Sequence, residues 1–110
     1  MGLDTAQKRL DEMLADLDRS IAVLQEEHPE AEHHTADAGA SLSDTDRIDA
    51  ALDVMRRQRA EVLNALERAQ QGTYGKCVEC GLPVPEGRLE ARPEASRCVG
   101  CQSKRDRARR

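Results

Sequence analysis

With 110 residues, a single tyrosine and neither phenylalanine nor tryptophan, the chain has room for one domain and little of the bulky side-chain volume that packs a sandwich or an α/β core. Hydrophobic residues make up 38% and charged residues 35%, a balance that suits long helices and coiled coils. The net charge of −4 conceals two opposite halves: residues 1–50 hold 13 acids and 4 bases, net −9, while residues 51–110 hold 8 acids and 13 bases, net +5. Such asymmetry predicts a polar docking surface of two signs, or else an incidental bias in a soluble chain. No apolar span of about 18 residues occurs, and Asp4, Asp11 and Glu12 stand where an export signal needs a basic start and an apolar run. The expectation is a cytoplasmic protein with no membrane partner.

The first element is a heptad seam of Leu3, Leu10, Leu17 and Leu24, with Leu14 and Ile21 at the complementary positions. It predicts a helix from about Leu3 to Glu27, ended by His28-Pro29, because the residue before a proline is pushed out of helical geometry. At 1.5 Å per residue this is a rod of roughly 37 Å. A second seam runs Ile48, Leu52, Met55, Arg59, Val62, Leu66, Ala69 in alternating steps of four and three, with Ser43 or Asp44 expected as its cap and Gly72 as its stop. Two helices of similar length joined by one loop pair most simply as an antiparallel hairpin. These leucines are read as packing, with function carried elsewhere.

Between the seams, residues 28–43 have no apolar period and form the expected tip. From Glu26 to Asp49 there are eight acids (Glu26, Glu27, Glu30, Glu32, Asp37, Asp44, Asp46, Asp49) against one base, Arg47. An acidic end on a rod suits a cationic or metal-containing cleft, and it equally suits a solvated loop whose charges prevent aggregation. His28, His33 and His34 lack the spacing of a metal site and read as loop residues.

The most specific signal is Cys77-x-x-Cys80 and Cys98-x-x-Cys101. Two residues between cysteines allow a tight turn to aim both thiolates at one ion, and a second such turn closes a tetrahedron. Gly75, Gly81 and Gly100 supply backbone freedom around the two turns. Four thiolates leave zinc no open coordination position, so the predicted cofactor is one structural Zn2+ and not a catalytic metal. Disulfides are the alternative for a secreted chain, and no export signal supports it.

The run Gly72-Thr73-Tyr74-Gly75-Lys76-Cys77-Val78-Glu79-Cys80-Gly81, then Pro83 to Pro85, Arg88-Leu89-Glu90-Ala91-Arg92-Pro93-Glu94-Ala95 and Cys98-Val99-Gly100-Cys101-Gln102, resembles the zinc-finger signature of the DksA/TraR family, of which this would be a short member. The resemblance implies an all-α protein: an antiparallel two-helix coiled-coil hairpin over residues 1–71, then residues 72–110 as a four-cysteine zinc finger with a basic C-terminal helix. It also implies a transcription regulator that passes its hairpin through the secondary channel of RNA polymerase. Such a regulator alters open-complex stability at initiation, often together with the alarmone ppGpp, and reads no specific DNA sequence. The family's tip motif, acid-x-Ala-Asp-small, is matched by His34-Thr35-Ala36-Asp37-Ala38-Gly39, so Asp37 takes the second acidic position while His34 departs from the first. Asp44 and Asp46 are further candidate tip acids.

Two other classes stay open from the residues themselves. Lys104, Arg105, Arg107, Arg109 and Arg110 outnumber Asp106 and could contact phosphates in a nucleic-acid-binding zinc module, grip an acidic polymerase surface, or simply solvate a helix end. A plain protein–protein adaptor built on the helical face is the other. An enzyme is disfavoured, since no nucleophile–base constellation, phosphate-cradling loop or open metal site appears and no catalytic residue is assigned.

Overall fold

The computed structural model describes residues 2–29 and 42–109, so Asp37, the whole His34–Gly39 motif, His33 and Arg110 lie outside the described residues. Four helices follow in order: α1 Leu3–Glu27, α2 Leu42–Gln71, α3 Glu86–Ala91 and α4 Val99–Ala108. α1 ends where the proline requires: His28 leaves helical space at φ −137°, ψ 65°, its N–H still donating to Leu24 O. α2 starts at Leu42, ahead of the expected caps, so Ser43 and Asp44 fall inside its first turn instead of before it. An acid there still faces the helix's unpaired N–H groups, which favour negative charge. At the other end Gly72 adopts φ 80°, its N–H reaching Ala69 O at 3.4 Å while Thr73 N–H returns to Arg68 O at 2.9 Å. This pair of bonds is the Schellman closure, and its left-handed residue is the one that glycine fills without strain.

α1 and α2 pack side by side in opposite directions. Leu10 shares a buried cluster with Val62 and Ala65, Arg59 meets Asp18, and Leu24 lies beside Met55 farther along. Every residue of the expected second seam is buried or half-buried. The first seam is shifted slightly, because Leu3 is 47% exposed and the fully enclosed positions begin at Ala6, one turn later. Arg59, the charged residue in an otherwise apolar stripe, has a cross-helix partner: its Nε donates to Asp18 Oδ1 at 2.6 Å. Both side chains are 41–49% exposed, so the pair contributes at most about 1 kcal/mol. Its larger effect is on alignment, since a slipped hairpin would set Arg59 against leucine or isoleucine.

At the hairpin's base the chain turns into a compact cap. Cys77, Val84 and Leu89 form a second buried cluster, and Tyr74 packs against both this one and the cluster of Leu10, Val62 and Ala65. Its hydroxyl donates to Pro93 O at 2.8 Å, so the only aromatic ring joins hairpin and cap through apolar faces and one polar bond. Arg9 of α1 adds a second tie by donating from Nη1 to Glu90 O in α3 at 2.6 Å. Among the described residues no strand forms; the nearest approach is the isolated bridge between Lys76 and Pro83.

The packing makes one stability test direct. Leu10 is fully buried, so Leu10→Ala should cost about 2–4 kcal/mol in chemical denaturation followed by circular dichroism, whereas Leu3→Ala should cost about 0.5 kcal/mol or less. Equal effects from the two substitutions would overturn the packed layer described for α1.

Candidate metal centre

Each pair of cysteines is placed by a turn that its own sequence dictates. In the first, Cys77 N–H donates to Leu82 O at 2.8 Å and Gly81 N–H to Cys77 O at 3.0 Å. The loop 78–81 is thereby folded back over Cys77, and Gly81 takes the positive φ of 75° that closes it. In the second, Cys98 is the N-cap of α4, with its Sγ accepting from Cys101 N–H at 3.5 Å. The sulfur thus stands at a helix N-terminus, where the unpaired amides and the helix dipole favour a thiolate. The turns are fastened to one another by Val78 N–H donating to Ser96 O at 2.9 Å and by Arg97 Nε with Glu79 Oε1 at 3.1 Å.

The four sulfurs of Cys77, Cys80, Cys98 and Cys101 all lie within 4.8 Å of one another, and Cys80 and Cys98 are 3.9 Å apart. Tetrahedral zinc with bonds of about 2.3 Å needs sulfurs about 3.8 Å apart, so the donor set fits one zinc ion in a closed structural site. No disulfide joins any of them. The quartet ionises unevenly. Backbone amides, Cys80 N–H first, hold the Cys77 thiol down at about 6, while hydrogen bonding with the Cys98 and Cys77 sulfurs pushes Cys101 up to about 12. One thiolate is thus available at neutral pH without help. Ionising the rest beside it requires a central cation to offset the repulsion.

The other predicted residues separate into two places. Asp44 and Asp46 sit in the first turns of α2, at the end of the hairpin away from the cysteines, both exposed; Asp44 lies 3.9 Å from Arg47. Lys104, Arg105, Arg107 and Arg109 are exposed at the cap end, on α4 and just after it. Only Arg105 and Arg109 of these face a hollow between α4 and α2, which is also lined by Arg68 and Glu94. Those two were not singled out in the sequence, where one reads as a helix residue and the other as part of a spacer. Glu94 is only 7% exposed, its Oε2 3.8 Å from Arg92 Nη2.

Loss of any ligand should be readable without an activity assay. Protein purified without chelator should hold one zinc per chain by elemental analysis, and serine at any of the four cysteines should disorder residues 72–109 while leaving much of the hairpin's helicity. Because protons compete for the sulfurs, zinc affinity falls as pH falls, and release to a chromogenic chelator should rise between about pH 7 and pH 5. Less than half an equivalent of zinc, or release that does not change with pH, would contradict the site.

The description "Prokaryotic dksA/traR C4-type zinc finger" matches residues 72–107. The RNA polymerase-binding transcription factor DksA of Caulobacter vibrioides is 36% identical over 105 residues, covering 91% of this chain and 70% of that protein. General stress protein 16O of Bacillus subtilis is 35% identical over 72 residues, 66% of this chain and 44% of that one. Among solved structures, transcription factor DksA2 from Pseudomonas aeruginosa superposes with a TM-score of 0.78 at 24% identity over 97% of this chain and 84% of its own. That likeness places the hairpin and cap in the same fold. A relative this similar over most of both sequences, with the cysteine signature falling on the zinc cap, shows that the chain belongs to the DksA/TraR C4-type zinc finger family.

Proposed function

We propose that the protein is a transcription regulator that binds RNA polymerase, passes its helical hairpin into the secondary channel and modulates initiation. The observation that carries this is the match to a relative named as an RNA polymerase-binding transcription factor, 36% identical over 91% of this chain. The shape supports it. The molecule measures 49 × 32 × 21 Å along its principal axes, with the zinc cap at the end of the hairpin opposite Asp44 and Asp46. A narrow rod can enter a pore that the wider cap cannot follow, so the cap sets the depth of entry.

In this proposal residues 1–71 are the inserting part and residues 72–110 the anchoring part. Asp37, Asp44 and Asp46 bring negative charge towards the polymerase's catalytic metal or its mobile elements. The protein catalyses nothing itself, in keeping with a metal whose four positions are all taken by thiolates. It works in the cytoplasm, with ppGpp as an accompanying ligand of the complex and no sequence-specific DNA contact. No helix among the described residues is long and apolar enough to cross a membrane.

Binding and regulation should separate by residue. The unaltered chain should retain polymerase core in a pull-down without DNA, and recovery of nucleic acid but no polymerase would sink the proposal. Asp37→Asn should leave that retention nearly intact and shift stability by no more than about 0.5 kcal/mol, yet remove most of the response of a sensitive promoter in transcription assays. Asp44→Asn with Asp46→Asn should matter less. The reverse pattern would move the working acids onto α2.

A further inference from the structure

The four zinc ligands are not held alike. Cys77 is buried with Val84 and Leu89, and its sulfur accepts from the amides of Cys80, Cys98 and Glu79. Cys98 caps α4 and Cys101 lies within it, and both pack against the same buried cluster. Cys80 has neither support. It is exposed and stands near the end of the loop 78–81, where Gly81 turns the chain with its positive φ of 75°. An exposed sulfur on a loop is the one an incoming ligand reaches first.

That loop is held down by a strap through Arg97. Arg97 Nε donates to Glu79 Oε1 at 3.1 Å, its Nη1 to Ser96 Oγ at 3.3 Å, and its carbonyl accepts from Arg88 Nε of α3 at 3.0 Å. The Arg97 side chain is 19% exposed and that of Glu79 52%. Arg97 is therefore fixed to α3 through its main chain and spends its guanidinium on the residue immediately before Cys80. Partners one shell out from a metal orient its ligands, and their loss typically lowers affinity about 10–100-fold. In this cap such a partner bears on one ligand of the four. The other three are anchored by the buried cluster or by α4, so loosening the pair frees Cys80 while the cap stays folded.

We propose that zinc exchange begins at Cys80 and that Glu79 and Arg97 are positioning residues that set its rate. Cys80 Sγ leaves zinc as a nitrogen of an entering chelator binds it. The electron pair of the broken bond stays on the sulfur, which takes up a proton from water, and nothing is oxidised or reduced. The strap opposes this step by keeping the loop 78–81 closed on the segment before Cys98, so a sulfur that has left returns before the entering ligand displaces it for good.

The test uses the full chain loaded with one equivalent of zinc. Release to the chelator 4-(2-pyridylazo)resorcinol is followed by absorbance, and limited alkylation by iodoacetamide is mapped by mass spectrometry. In the unaltered chain the first cysteine modified should be Cys80. Glu79→Ala truncates the more exposed partner and leaves Arg97 in place. It should speed release about tenfold and alkylation of Cys80 by the same factor, with the initial alkylation of Cys77, Cys98 and Cys101 unchanged and with wild-type helicity. Glu79→Gln keeps an acceptor for Arg97 Nε and should stay within about threefold of wild type. Asp18→Ala removes the partner of Arg59 on the hairpin and should leave both rates within about twofold. Wild-type rates in Glu79→Ala, or a Glu79→Gln rate equal to that of Glu79→Ala, would overturn the strap. First alkylation at another cysteine, or equal acceleration at all four, would overturn Cys80 as the point of exchange.

Discussion

Four sulfurs crowded within 4.8 Å repel one another as thiolates and stay together only around a cation, and the last third of the chain is built on that constraint. The buried apolar side chains there are Cys77, Val84, Leu89 and Pro93, too few to order about 35 residues by burial alone. Zinc supplies the missing stabilisation because binding the ion and fixing the two turns are one event. The second turn shows how economical the arrangement is: Cys98 is ligand and N-cap at once, so the metal orients the first turn of α4 directly. With α4 fixed, Arg105 lines the hollow between α4 and α2.

The cap's position relative to the rod depends on a few contacts of a different kind. Tyr74 lies between the two buried clusters and its hydroxyl holds the Pro93 carbonyl, while Arg9 reaches across to α3. Burial raises the pKa of that phenol, which keeps it protonated and a donor throughout the neutral range. The Schellman closure at Gly72 sets the direction in which the chain leaves α2, and Tyr74 two residues later fixes where it lands. Metal at one side and one ring at the other therefore determine how a hairpin with little core of its own is presented to a partner.

Much of this was legible in the residues because it is periodic or punctuated. α1 could be read to both ends, since a seven-residue leucine step and a His-Pro stop are local signals, and every position that the second seam named from Ile48 to Ala69 proves buried or half-buried. The metal ligands were legible from spacing alone. Three features were not. Alanines 6 and 65 are fully enclosed, but a small residue is as common on a helix's wet face as in its seam. α3 has only six residues, and its amphipathic pattern is too short to separate from loop. The hollow joins residues some forty positions apart in sequence, so no window along the chain could display it. The start of α2 was placed late because Ser43 and Asp44 suit a first turn almost as well as a cap.

The between-ligand positions of the two cysteine turns carry a consequence for how such proteins diversify. Cys77, Cys80, Cys98 and Cys101 cannot vary without loss of the metal, but Val78 and Val99, held rigidly between them, point outward and contribute little to the fold. Their backbone is positioned by the metal-binding turns while their side chains are half or more exposed. Substitution there can retune an outer surface in single steps, each presented at the same place and angle. Paralogues within one cell could in this way share a scaffold and a metal yet compete for a common target with graded strength.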